Sequence, residues 1–278
     1  MKISAVLLAQ ALFAASALAA PKGHGLAARV AARNARTHLS HPKAPAPAPV
    51  DEQVDEANRT QVDYSSNWSG AVLTSPPSGS TFTSVSAQFT VPTPSLPDDS
   101  RQSSSASAWV GIDGDTYQNA ILQTGVDFSV DASGAVSYDA WYEWYPDYAY
   151  DFSGITIKAG DVISLSVTAS SSSHGTAVIE NLTSGQKVSK TLSAPSSSAT
   201  LGGQNAEWIV EDYEENGGLV PFANFGTVKF TSASAGTSSG SSLGTNGADI
   251  LDIRQNGHVL TSASIPSSSE VDVTYTGS

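Results

Sequence analysis

From Gln61 to Ser278 the chain alternates apolar and polar residues with a period of two, and no segment sustains a helical stripe. Val85, Ala87, Phe89 and Val91 alternate with Ser84, Ser86, Gln88 and Thr90. Ile163, Leu165 and Val167 alternate with Ser164 and Ser166, and Val271, Val273 and Tyr275 with Asp272 and Thr274. Successive side chains of a strand point to opposite faces, so each run predicts a strand buried on one face. Turn signals separate the runs: Asp131-Ala132-Ser133-Gly134, Ala159-Gly160-Asp161, Thr183-Ser184-Gly185 and Asn256-Gly257, the last a favoured two-residue hairpin turn. Short strands without crossover helices predict an all-β fold, a single antiparallel β-sandwich of two large sheets, one of whose faces is free to be concave.

The N-terminal stretch has a different composition. Residues 1–19 pair Lys2 with the apolar run AVLLAQALFAASA and end in Ala17-Leu18-Ala19, the pattern of a secretory signal peptide. No other stretch reaches the roughly 20 apolar residues of a membrane helix, so the expectation is a secreted, extracellular chain with no membrane partner. Residues 20–59 are basic and Pro/Ala-rich, and residues 60–278 are acidic. Seven of the 13 Lys and Arg and four of the 26 Asp and Glu lie in residues 1–59, which leaves the body with six bases, 22 acids and a net charge of −16. The leader reads either as a disordered tail with a proline linker or as a removable prosegment, an intramolecular inhibitor whose positive charge docks on the acidic body. The chain has no cysteine, which excludes thiol nucleophiles, thiolate metal sites and disulfides.

Only 14% of residues are charged, yet acids, amides and indoles crowd between Trp109 and Trp144 in AWVGIDGDTYQNAILQTGVDF and SYDAWYEWYP. A second acidic segment, NAEWIVEDYEE, follows at Asn205. On a strand, Asp139, Trp141, Glu143 and Tyr145 share one face, opposite Tyr138, Ala140, Tyr142 and Trp144. Two carboxyls beside an indole suit a cleft in which aromatics hold an extended ligand; the alternative is a solvated face whose aromatics cover the sheet.

Familiar chemistries are poorly supplied. The body has only His174 and His258 and no His-Glu-x-x-His, so neither a metal centre nor a histidine triad is expected, and no cofactor motif occurs. Gly236-Thr237-Ser238-Ser239-Gly240 matches a nucleophile elbow in letters but lies in a Ser/Gly-rich loop. No Asp-Thr/Ser-Gly signature, phosphate loop or basic patch is present in the body, so nucleic acid is not an expected partner. Carboxyl and amide chemistry remains.

The segments Ala108–Gly114 (AWVGIDG), Ile121–Gly125 (ILQTG), Tyr138–Pro146 and Asn205-Ala206-Glu207 resemble, in order, the motifs of the glutamic peptidases, or eqolisins. The resemblance runs from about Tyr64 to the last strand and includes the plan of signal, basic prosegment and acidic body. It implies a two-sheet β-sandwich endopeptidase that acts on protein or peptide substrates in acid, resists inhibitors of pepsin-like enzymes, and uses a Gln and a Glu. Residue by residue, it implies Gln123 and Glu207 as the catalytic pair, with Trp68, Trp109, Asp113, Asp127, Asp139, Trp141 and Glu143 in or near the substrate cleft. Gln118 falls outside the match. Tyr117 departs from it, since relatives often have Cys there, so any family disulfide is dispensable in this chain.

Glu207 as carboxylate can take a proton from water and return it to the leaving amine, a role worth about 10² to 10⁴ in rate. The Gln123 amide can donate to a developing oxyanion, and one such donor is worth about 10² to 10³. An amide does not titrate, so this donor survives strong acid. Asp113 and Glu143, if close, would add protonated carboxyls at low pH. Taken singly, Glu207 begins an acidic run that reads as a solvated edge, Gln123 as a strand-end hydrogen bonder, and Asp113 and Asp115 as a turn or part of a calcium loop. The rival readings are a β-sandwich glycosidase using Glu143 and Glu207, whose carboxyls would face each other without an intervening amide, and a lectin-like module that binds without turnover. Asn58, Asn67 and Asn181 head N-glycosylation sequons, with Asn67 the least suited because it adjoins a cleft tryptophan. A monomer is the expected state.

Overall fold

The structure, a computed structural model, describes residues 37–47, 62–98 and 100–277. The expected signal peptide and Asn58 lie outside the described residues. The early strands are β1 (His38–Leu39), β2 (Val62–Ser65), β3 (Trp68–Leu73), β4 (Phe82–Thr90), β5 (Ser104–Ile112), β6 (Ile121–Val130), β7 (Val136–Tyr145) and β8 (Tyr150–Asp151). There follow β9 (Val162–Ser171), β10 (His174–Asn181), β11 (Gln186–Ser193), β12 (Ala206–Glu211), β13 (Glu214–Glu215) and β14 (Gly218–Leu219). The last are β15 (Thr227–Thr237), β16 (Ser242–Leu243), β17 (Asp249–Gln255), β18 (His258–Val259), β19 (Thr261–Ser267) and β20 (Glu270–Tyr275). No helix occurs among the described residues.

Two large sheets stack as a sandwich. One has the order β11-β10-β9-β4-β15-β20-β19, with β16 beside β15; the other has β18-β17-β3-β12-β5-β6-β7-β8. Pairing is antiparallel except where β2 lies parallel to β17. The core between the sheets takes the inward positions of the alternating runs, among them Val85, Ala87, Phe89, Ile163, Leu165, Val167, Val271 and Val273, against Ala108, Val110, Leu122, Val126, Trp144, Trp208 and Val210 of the second sheet. At the β17–β18 hairpin both Asn256 (φ 51°) and Gly257 (φ 81°) are left-handed, the conformation that an Asn-Gly turn supplies at least steric cost.

The centre of the second sheet departs from half-burial. Every residue of β3, β5 and β12 is buried, although their neighbours on either face differ. One face meets the sandwich core. The other carries a second apolar layer of Trp68, Val72, Trp109, Ile121, Trp141, Ile209 and Leu251, and residues 37–47 cross it. That stretch, here called the strap, falls within the basic leader but belongs to the same compact unit as the body. It joins a small sheet in the order β1-β13-β14, with His38 opposite Glu215 and Leu39 opposite Glu214.

Two sequons are closed by folding. Asn181 is fully buried, its amide donating to Thr156 O and Asp161 Oδ2 and accepting from the N–H of Thr183 and Ser184. Asn67 is 3% exposed and holds the strap, accepting from Ala44 N and donating toward His41 O and Pro42 O.

Candidate active site

The register of the second sheet sets the cleft side chains in three rows. The first runs Val72, Glu207, Gly111, Gln123, Glu143 across β3, β12, β5, β6 and β7. The second runs Gly70, Ile209, Trp109, Gly125, Trp141, and the third Trp68, Glu211, Ser107, Asp127, Asp139. Strand parity therefore places Glu207, Gln123 and Glu143 on one face, with Gln123 between the two glutamates and a glycine between Gln123 and Glu207. At about 4.8 Å per strand, the α-carbons of Glu207 and Gln123 stand about 10 Å apart and those of Glu207 and Glu143 about 14 Å apart.

Glu207, Gln123 and Glu143 are each fully buried. Among the described residues no hydrogen bond meets either oxygen of Glu207, and the Gln123 amide engages only the Glu143 carboxyl beside it. A buried polar atom left unpaired costs about 1–3 kcal/mol, so a fully buried carboxyl with neither oxygen paired is a feature that stability alone does not explain. Burial raises the pKa of Glu207 well above the usual range, with the charges of Asp113 and Asp115 pushing the same way. Burial likewise raises Glu143 well above it, against the Ser40 N–H that donates to its Oε2 at 3.2 Å.

Trp68, Trp109 and Trp141 are all fully buried on this face. The Trp68 and Trp109 rings meet edge-on at 4.9 Å, and Trp141 Nε1 donates to Ser107 Oγ at 3.0 Å. Trp109 Nε1 donates to Glu211 Oε2 at 2.9 Å. Glu211 was not singled out by sequence, where it sits in an acidic run; its place four residues beyond Glu207, hence on the same strand face, is the signal that finds it. Burial raises its pKa to about 7, against donation from the Ser40 hydroxyl, the His41 N–H and Trp109.

Asp113 lies just beyond β5 with φ 68° and faces a loop. Its carboxyl accepts the N–H groups of Gly202, Gly203, Gln204 and Asn205 at 2.7–3.3 Å. Burial still raises its pKa. Asn205 reciprocates: its Oδ1 accepts from the N–H of Asp115, Thr116 and Tyr117, and its Nδ2 donates to Thr74 O and Thr116 Oγ1. The two loops are thus clasped two residues before Glu207. Tyr117 adds to the clasp, its hydroxyl donating to Thr200 O at 2.8 Å while its ring covers Gly202. Asp113→Ala strands the buried N–H groups of Gly203 and Asn205 and frees those of Gly202 and Gln204, and should cost about 3 kcal/mol, read as a fall in melting temperature of roughly 10 °C.

The strap engages both ends of the cleft. His38 Nδ1 lies 3.2 Å from Asp127 Oδ2, with the imidazole edge-on to Trp141 and tilted on Tyr213. Burial pushes His38 down to about 3 and Asp127 well above the usual range. Asp139 is half-buried directly across from Asp127. His41 Nε2 lies 3.0 Å from Glu214 Oε2, and Lys43 pairs with Asp115. Gln118 donates to Lys43 O at 2.9 Å. Ser40, His41 and Lys43 thus flank the first row without hydrogen-bonding Gln123 or Glu207.

Residues 66–275 match the family model described as the Peptidase A4 family. The chain is 48% identical over 293 aligned positions to Aspergillopepsin-2 of Aspergillus niger, covering 99% of this chain and 100% of that protein. A crystal structure of scytalido-glutamic peptidase with a transition state analog inhibitor superposes with a TM-score of 0.67 at 46% identity, covering 76% of this chain and 98% of the other. The crystal structure of aspergilloglutamic peptidase from Aspergillus niger gives a TM-score of 0.59 at 57% identity, covering 62% and 99%. The chain therefore belongs to the peptidase A4, or eqolisin, family of glutamic peptidases.

Proposed function

We propose that the chain is a secreted acid endopeptidase in which Glu207 activates a water and Gln123 stabilises the tetrahedral oxyanion, made as a zymogen whose leader fills the cleft. One observation carries the reading: the row Glu207–Gly111–Gln123, with both side chains buried and both Glu207 oxygens free of protein hydrogen bonds. Glu207 as carboxylate takes the proton of water as that water attacks the scissile carbonyl, then returns it to the leaving amine. The Gln123 N–H₂ donates to the oxygen that gains charge. Gln123 between Glu207 and Glu143 also weighs against paired-carboxyl sugar chemistry, which sets its two acids face to face.

The raised pKa of Glu207 belongs to the covered cleft, where burial keeps it protonated. Loss of the strap hydrates the carboxyl and returns it toward the ordinary range, so the carboxylate becomes available in acid. The export signal of residues 1–19 and the prosegment of residues 20–59 fit this order of events, in which the leader leaves before the cleft turns over substrate: a carboxyl whose pKa is raised by covering holds its proton more firmly with the strap in place, so removal of the strap, and not acid alone, frees Glu207. The cleft accepts protein substrates, and pepstatin, aimed at paired aspartates, leaves it active.

The test is release of peptides from a denatured protein at about pH 3, below the ordinary Asp and Glu pKa values, by the acid-treated full chain with pepstatin present. Release supports the reading. No release from protein that is folded and shown free of its leader overturns it.

A further inference from the structure

Gly111 is a glycine that the backbone does not need. Its φ lies outside the left-handed region that Gly70, Gly114 and Gly203 occupy, and it sits in the interior of β5, where glycine weakens a strand. Any small residue would satisfy the local conformation. Space is what remains to explain it. A Cβ at this position would lie 2.8 Å from Trp109 Cζ3, 3.3 Å from Trp109 Cε3 and 3.3 Å from Gln123 Cβ.

The Trp109 ring is held by its Nε1 hydrogen bond to Glu211 and by its T-shaped contact with Trp68. The Gln123 contact is to its Cβ, which is fixed by the β6 backbone, and its amide engages the Glu143 carboxyl. Relieving the 2.8 Å contact shifts either the Trp109 ring or β5 itself, and β5 is the strand between Gln123 and Glu207, so the added methyl changes the separation of those two side chains. Gly111 is also the residue between these two in the register, so the floor of the gap in which both would meet one water is its bare α-carbon.

We infer that Gly111 is a positioning residue for peptide hydrolysis: its missing side chain sets the separation of Gln123 and Glu207 and lets the Trp109 ring lie against the floor between them. The inference rests on the Gln123/Glu207 reading. Reacting groups misplaced by about 1 Å lose about 10² in rate, whereas substrate contacts along the rest of the cleft are untouched. The effect falls on kcat and spares KM.

The experiment compares wild type, Glu207→Gln and Gly111→Ala, each made as the full chain, acid-treated and assayed on one peptide. Wild type active and Glu207→Gln inactive establishes the underlying reading; an inert wild type removes that reading and is recognised separately. Gly111→Ala should then show kcat lowered about 10²-fold with KM within about threefold, in protein that still melts cooperatively. A kcat within about threefold of wild type overturns the inference, as does a rise in KM that accounts for the whole loss. Should overpacking prevent folding, Trp109→Leu removes the ring carbons that the methyl meets. Adding Gly111→Ala to that background should lower kcat at least tenfold through the Gln123 contact alone, and a ratio near one overturns the inference.

Discussion

Glu207→Gln should lower the rate of peptide release in acid by at least about 10³-fold while the protein folds and melts as wild type does. The amide is isosteric with the carboxyl, so its place in the row between Val72 and Gly111 survives, but it neither accepts the proton of water nor returns one, and general acid–base catalysis of about 10² to 10⁴ is lost at both steps. Folding is spared because the two Glu207 oxygens accept no protein hydrogen bond. Gln123→Ala should cost about 10² to 10³ by the same comparison, the value of one oxyanion donor. Activity measured across pH 2.5–5 with initial rates checks both, and a Glu207→Gln enzyme as active as wild type would remove Glu207 from the chemistry.

The second large effect is on stability. Thermal unfolding of the full chain should occur at its highest temperature near pH 4 and fall steadily toward pH 8. Burial lifts Asp252 to about 6, Glu211 to about 7 and Asp212 to about 8, all above their values in an unfolded chain. Between the unfolded and folded pKa values the folded state holds more protons than the unfolded one, so its stability decreases as pH rises through that window. The contribution is complete below about pH 4 and is lost between about pH 4 and pH 8. Asp212 is nearly fully buried and is held by Gln255 Nε2 at 2.7 Å. Asp212→Asn removes its titration and should raise stability at pH 8 by about 3 kcal/mol, or roughly 10 °C, with little change at pH 4. A melting temperature that is flat or rises from pH 4 to pH 8 contradicts this. The acidic body adds self-repulsion in the same direction, which salt screens and the Asp212 effect does not share.

The fold was legible where alternation met a single wet face. The runs around Val85, Ile163 and Val271 became β4, β9 and β20 with the buried residues expected. Parity also separated Trp141 and Glu143 from Ala140 and Trp144, which face opposite layers. Burial of β5 and β12 on both faces was not legible, because it depends on a tryptophan layer and a strap far away in sequence. The strap itself reads by composition as a linker, and nothing in PKAPAPA announces that the chain just before it lies on Glu143 and Glu211. Asp113 reads as a turn residue, since the four N–H groups it binds come from residues 202–205, about 90 positions later. Gln123 and Glu207 are separately unremarkable in sequence. Joint motif order pointed to them, and register set them in one row with Gly111 between.

The claim that one amide and one carboxyl act on the same water is tested most directly by a double-mutant cycle: kcat of Gln123→Ala, Glu207→Gln and the double variant on one peptide at about pH 3. Groups that act as a unit are non-additive, so the double variant should be no slower than the slower single variant. Losses that multiply would mean that Gln123 and Glu207 serve separate steps, and would contradict the arrangement argued from the row they share.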